Sequence, residues 1–190
     1  MSLDKPDIRI GISACLLGQK VRYDSRHKQD HYITDTLGCF FQWVPLCPEV
    51  EYGLPVPREP MHLIDDPASL RLITIHTGID HTDGMKKWTE DRLDRLAQEG
   101  LYGFIFRSRS PSCGIRSVEI YTKYGTQIKK GAGIFAAAFI QRFPLVPVVD
   151  DDDLKDQILR ESFIERISLL SGQQELFEKG CSRFLYPPST

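Results

Sequence analysis

The side chains of this sequence best suited to chemistry are its five cysteines, Cys15, Cys39, Cys47, Cys113 and Cys181. An odd count at this low density is not a disulfide scaffold, so each thiol is expected to be a metal ligand, a nucleophile or a small buried apolar group. Local sequence begins to separate them. Cys15 precedes Leu-Leu-Gly, Cys47 precedes Pro-Glu, and Cys113 stands in Ser-Pro-Ser-Cys-Gly, where proline and glycine can shape turns that aim backbone amides at sulfur. Three thiolates brought together repel one another, and a bound cation or cluster is the usual way to stabilise them. The 31 and 65 residues that separate these three do not match a C-x-x-C zinc ribbon. Thiolates suit both zinc and an iron-sulfur cluster, and spacing does not choose between them.

Which thiols can meet depends on the strands. Ile8–Ala14 (IRIGISA) reads as a short buried strand and Phe40–Leu46 (FFQWVPL) as a second, despite its proline. Leu70–His76, Tyr102–Phe106, Val118–Thr122 and Leu145–Val149 are expected to be further strands. Between them lie helical patterns: one short helix over His31–Leu37, an amphipathic helix over Thr82–Glu99 stopped by Gly100, and an apolar helix over Ile134–Phe143. The acid run Asp150–Asp153 is expected to open a last helix reaching about Leu170, where negative charge favours the positive end of the helix dipole. Strands alternating with helices predict an α/β fold, a mostly parallel sheet with helices on both faces.

In such sheets ligands bind beyond the carboxyl ends of the strands. Cys15 and Cys47 directly follow strands and Cys113 follows Tyr102–Phe106 by a few residues, so all three belong to that edge. Cys39 precedes its strand and falls at the opposite edge, while Cys181 lies in the last stretch of the chain. His76 ends a strand on the right edge but reads as hydrogen-bonded structure rather than a ligand.

The 190 residues suit one domain over residues 8–171, with 172–190, where periodicity fades, expected as a loosely packed tail. An apolar fraction of 41% and a charged fraction of 26% are ordinary for a globular chain, and the net charge of −2 carries no nucleic-acid or membrane signal. The first residues hold no apolar run long enough for a signal peptide or a span of ~20 residues, which predicts a cytoplasmic protein.

The segments GISACLLGQKVRYD (residues 11–24), PLCPEVEYGLPVPREP (residues 45–60) and RSRSPSCG (residues 107–114), in this order, resemble the thiouracil desulfurase family over about Ile8–Val149. The resemblance implies a Rossmann-like α/β domain that binds a 4Fe-4S cluster through three cysteines, here Cys15, Cys47 and Cys113. It further implies an iron-sulfur desulfidase acting on a small thiolated substrate, with one iron left open for the sulfur of a thiocarbonyl group and no net redox change. On that reading Glu49, held near Cys47 by Pro48, is the candidate to activate water; otherwise it is a surface acid. Ser110 is a candidate to hydrogen-bond substrate or water, or an ordinary turn cap. Arg22 and Asp24 either line the mouth of the site or pair with each other, and Lys129, Lys130, Gly131 and Gly133 form a basic entry to a helix that could hold an anion. A non-catalytic zinc or iron-sulfur module is the competing interpretation.

Overall fold

The computed structural model describes residues 7–66 and 69–173. The β-branched run of β1 (Arg9–Ser13) forms the expected first strand, followed at once by a 3-10 turn over Ala14–Leu17. The expected helix at His31–Leu37 is instead a π turn over Tyr32–Thr36 and a 3-10 turn over Leu37–Cys39. Its threonines and aspartates favour local turns over a regular helix, and Asp30 Oδ1 accepts the Ile33 amide at 3.1 Å. Next come β2 (Gln42–Leu46) and the single helical turn α1 (Pro48–Glu51).

The chain continues through β3 (Met61–Ile64), β4 (Arg71–Thr74), α2 (Thr82–Glu99), β5 (Gly103–Phe106), β6 (Val118–Tyr121), β7 (Gln127–Gly131), α3 (Ile134–Arg142), β8 (Val148–Asp150) and α4 (Gln157–Ser171). α2 has the predicted bounds and ends where Gly100 turns left-handed at φ 65°. α4 starts later than expected, capped by Asp156, whose Oδ1 accepts the Leu159 amide at 3.1 Å. The tail expected over 172–190 lies, from residue 174 on, outside the described residues, and Cys181 with it.

The strands form two sheets. The first has the order β2-β1-β5-β8 with every pair parallel, as the alternation of strands and helices predicts. β2 is its edge strand, which is where Pro45 can be accommodated without a missing ladder bond. Along β5 the side chains alternate: Phe104 and Phe106 pack with α2 and α3 on one face, and Ile105 packs with α4 on the other. Both faces are therefore covered, and the molecule is a single α/β domain.

The second sheet, β4-β3-β6-β7, corrects the strand map. The strands expected at Leu70–His76 and Val118–Thr122 belong to it rather than to the parallel sheet, and it is mixed, with β3 parallel to β6 and antiparallel to β4. β3 follows a proline-rich loop and β7 is an exposed edge strand carrying Lys129 and Lys130, so neither shows the apolar run of a buried strand. Its core of Leu63, Leu72, Val118 and Ile120 closes on Met85 of α2, which fixes this sheet beside the first.

The two halves meet tightly behind the Cys113 loop. A Cβ at Gly133, the residue before α3, would stand 2.5 Å from the backbone carbon of Ser112. Gly133→Ala should therefore destabilise the protein by about 1–3 kcal/mol, the usual cost of forcing atoms into a filled site. Urea unfolding measures this, and an unchanged midpoint would show that the contact gives way freely.

Candidate metal centre

β2, β1 and β5 lie side by side and parallel, so their carboxyl ends open on one crevice. The chain leaves β1 for β2 on one side and reaches β5 on the other, which makes the end of β1 the point where the winding reverses and ligands are received. Three loops leave from there. Cys15 sits in the 3-10 turn after β1, Cys47 is the residue before α1, and Cys113 lies in the loop after β5. All three line one cavity of about 270 Å³, near the lower end of the ~300–1,000 Å³ usual for small-molecule sites. Glu49, Ser110 and Arg22 line it too.

Each loop is fastened through hydrogen bonds made by its backbone groups. The Cys15 carbonyl accepts the Lys28 amide at 2.9 Å, holding residues 18–30 against the site. Pro48 occupies the first helical position of α1, where its missing N–H costs nothing, and the Cys47 amide donates to Glu51 Oε1 at 3.2 Å. In the third loop Ser110 Oγ accepts the amides of Ser112 and Cys113 at 3.3 and 3.1 Å. Ser110 is thus a turn cap that also lines the cavity.

The Cys113 loop is also tied to its neighbours. The Arg107 amide donates to Ser13 Oγ at 2.9 Å, the Ser108 amide donates to Asp151 Oδ1 at 2.7 Å, and the Ser108 hydroxyl donates to Asp152 Oδ2 at 3.0 Å. The Arg107 guanidinium pairs with Asp151, and Arg116 with Asp153. The acid run, expected as a helix start, instead braces this loop. The amides at the start of α3 are spent in the same way: Gly133 on the Gly114 carbonyl, Ile134 on that of Pro111 and Ala136 on that of Ser112. An anion site there is overturned, and Lys129 and Lys130 lie on β7 instead.

Glu49 is held on both oxygens. Its Oε2 accepts from Arg58 Nε at 2.8 Å and Nη2 at 2.5 Å, and its Oε1 accepts from Ser112 Oγ at 2.9 Å. Arg22 both lines the cavity and pairs with Asp24, Nε to Oδ1 at 3.2 Å. Cys39 is exposed, donates to the Asp35 carbonyl at 3.3 Å and does not line the cavity. His76 is likewise away from it, its amide bonded to Glu59.

Electrostatics give the site its demand. Burial, and after it the neighbouring Cys47, push the Cys15 thiol up to about 12, against the opposing charge of Arg107 and Arg22. Burial and then Cys47 lift Cys113 well above the ordinary thiol value, against a hydrogen bond from Ser13. Cys47 is raised as well, chiefly by burial, with the Val50 amide and Arg58 working the other way. Cys15 and Cys113 both lie near enough to Cys47 to feel its charge. Among the described residues, however, no three His, Cys, Asp or Glu side chains are grouped as ligands of a metal ion.

Ser13, Arg58, Arg107, Ser112 and Asp151 are parts of this site that spacing and strand reading leave unmarked. All of these but Asp151 fall inside the segments that carry the family resemblance, and that is the signal that could have raised them.

The sequence pattern of the 2-thiouracil desulfurase family matches residues 10–151. A solved structure of a [4Fe-4S]-dependent thiouracil desulfidase, TudS, is 30% identical to this chain with a TM-score of 0.62, the likeness covering 82% of this chain and 99% of that one. No curated protein matches the chain.

The raised thiols predict how stability follows pH in protein kept free of metal. Below pH 9 Cys15 is protonated in both the folded and unfolded chain, whereas between 9 and about 12 only the unfolded chain gives up the proton. Stability should fall over that window, by roughly 1.4 kcal/mol per pH unit from this group alone. Urea unfolding from pH 8 to 10.5 should show a shallower decline for Cys15→Ser than for the wild type, and equal slopes would contradict the buried thiol.

Proposed function

The chain belongs to the 2-thiouracil desulfurase family, and from that premise we propose that it hydrolyses a thiocarbonyl compound such as thiouracil, releasing sulfide, with a [4Fe-4S] cluster held by Cys15, Cys47 and Cys113. The observation that carries this reading is the convergence of three raised thiols, from three adjacent strand ends, on one cavity that also receives a fixed carboxylate. The donor set fits the group. Thiols that resist ionising beside one another become favourable ligands once positive charge lies between them, and metal binding drives off their protons. Thiolates alone suit zinc as well as a cluster, and the likeness to a [4Fe-4S]-dependent desulfidase favours the cluster.

When bound, the cluster supplies a Lewis acid for the sulfur of the substrate. The remaining work falls to the chain. Glu49, its carboxylate fixed at the cavity wall, takes a proton from the attacking water. The hydroxyl of Ser110 accepts two backbone amides and keeps its own hydrogen to donate to the substrate or to that water. Arg22 and Arg107 bring positive charge to a site dense in sulfur. The overall change replaces C=S by C=O and converts water to hydrogen sulfide, so no electrons are gained or lost. The reading includes a reducing, cytoplasmic setting; its support is that the four described cysteines are all free. No described helix is long and apolar enough to cross a membrane.

Anaerobically prepared Glu49→Gln should keep its iron and colour while sulfide release from thiouracil falls roughly 10²-fold or more, the range for losing a positioned base. Loss of iron would make Glu49 a structural residue, and unchanged turnover would remove it from the mechanism. Cys39→Ala should retain iron, since that thiol stands outside the cavity; iron loss there would overturn the ligand set. Turnover should also continue without an added electron donor, and a strict need for one would reject hydrolysis.

A further inference from the structure

We propose that Arg58 is a positioning residue for Glu49, fixing the carboxylate at the cavity wall from a frame that it shares with Cys47. The inference rests on the reading of Glu49 as the base. The guanidinium is nearly enclosed, with side-chain exposure of 6% against 12% for Glu49. Its N–H groups are divided among three pieces of chain: Nε and Nη2 hold Glu49 Oε2, Nη2 also reaches the Val21 carbonyl at 2.9 Å, and Nη1 reaches the Pro55 carbonyl at 3.3 Å. The Arg58 amide adds a fourth tie, to the Tyr23 carbonyl at 2.9 Å. The Val21 carbonyl is also the partner of Cys47 Sγ, at 3.8 Å. One side chain therefore sets the base and the edge of the thiol site in a common register.

The chemistry asks for that rigidity. A free glutamate rotates about its side-chain bonds, and a base displaced by an ångström loses much of its effect. Arg58 removes the freedom of one carboxylate oxygen, and Ser112, wholly buried, removes that of the other. A lysine cannot reproduce this, because a single ammonium has no planar fork to spread over the carboxylate and two carbonyls.

The test is a double-mutant cycle on anaerobically purified, cluster-loaded protein, comparing Arg58→Gln, Arg58→Lys, Glu49→Gln and Glu49→Gln/Arg58→Gln. Iron content should be the same in all four. Arg58→Gln should lower kcat for sulfide release by roughly 10²-fold with little change in KM, and Arg58→Lys should recover part of it. In the Glu49→Gln background the same Arg58 change should cost no more than about twofold, because its effect passes through a base already absent. Costs that multiply would overturn the proposal and give Arg58 a role of its own toward substrate. The urea midpoint supplies a readout apart from activity: Arg58→Gln should lower it by leaving a buried carboxylate unpaired, and the double variant should regain most of the loss. Additive midpoints would equally overturn the pairing. Should Arg58→Gln not fold, Arg58→Lys runs through the same cycle. Wild-type turnover in Glu49→Gln alone would instead refute the base assignment, a result that differs from every outcome aimed at Arg58.

Discussion

Buried thiols gathered at one cavity can ionise together only around positive charge, and the structure of this site follows from that constraint. Each buried sulfur is raised first by loss of solvent; Cys47 adds to the rise at Cys15 and Cys113, arginines oppose it at Cys15 and Cys47, and Ser13 opposes it at Cys113. A lone thiol would simply be a small apolar side chain. Three thiols at the carboxyl ends of adjacent parallel strands form a set of donors that favours a metal group over bare ionisation.

Holding such donors in place requires more than the strands. The parallel sheet fixes where each loop starts, but the Cys113 loop is shaped by Ser110, by the acids at 151–153 and by the carbonyls that close the start of α3. Glu49 belongs to a single turn of helix and would be poorly fixed by that turn alone. It is clamped by Arg58, from the loop that follows the helical turn, and by Ser112, from a loop more than sixty residues on. Loop segments are thus fixed through polar contacts between largely buried side chains.

Much of this was legible in the sequence because it depends on local rules. β1, β2 and β5 announce themselves as short apolar runs, and a cysteine just after a strand has only one edge to occupy. That logic separates Cys15, Cys47 and Cys113 from Cys39. The second sheet was not legible as a sheet: β7 shows charge instead of apolar alternation, and strand pairing is a long-range property that no window contains. The same limit hid the role of Asp151, since an acid run beside a helix reads as a cap until Arg107 and Ser108 are seen to meet it across more than forty residues. The identity of the metal group came from the family segments, since thiol spacing alone leaves zinc and iron-sulfur open.

The central claim, that these three thiols hold a cluster and not a single ion, is tested most directly by metal analysis of wild-type protein purified without oxygen. The account predicts a brown protein with about four irons and about four acid-labile sulfides per chain. A colourless protein holding one zinc per chain would contradict it.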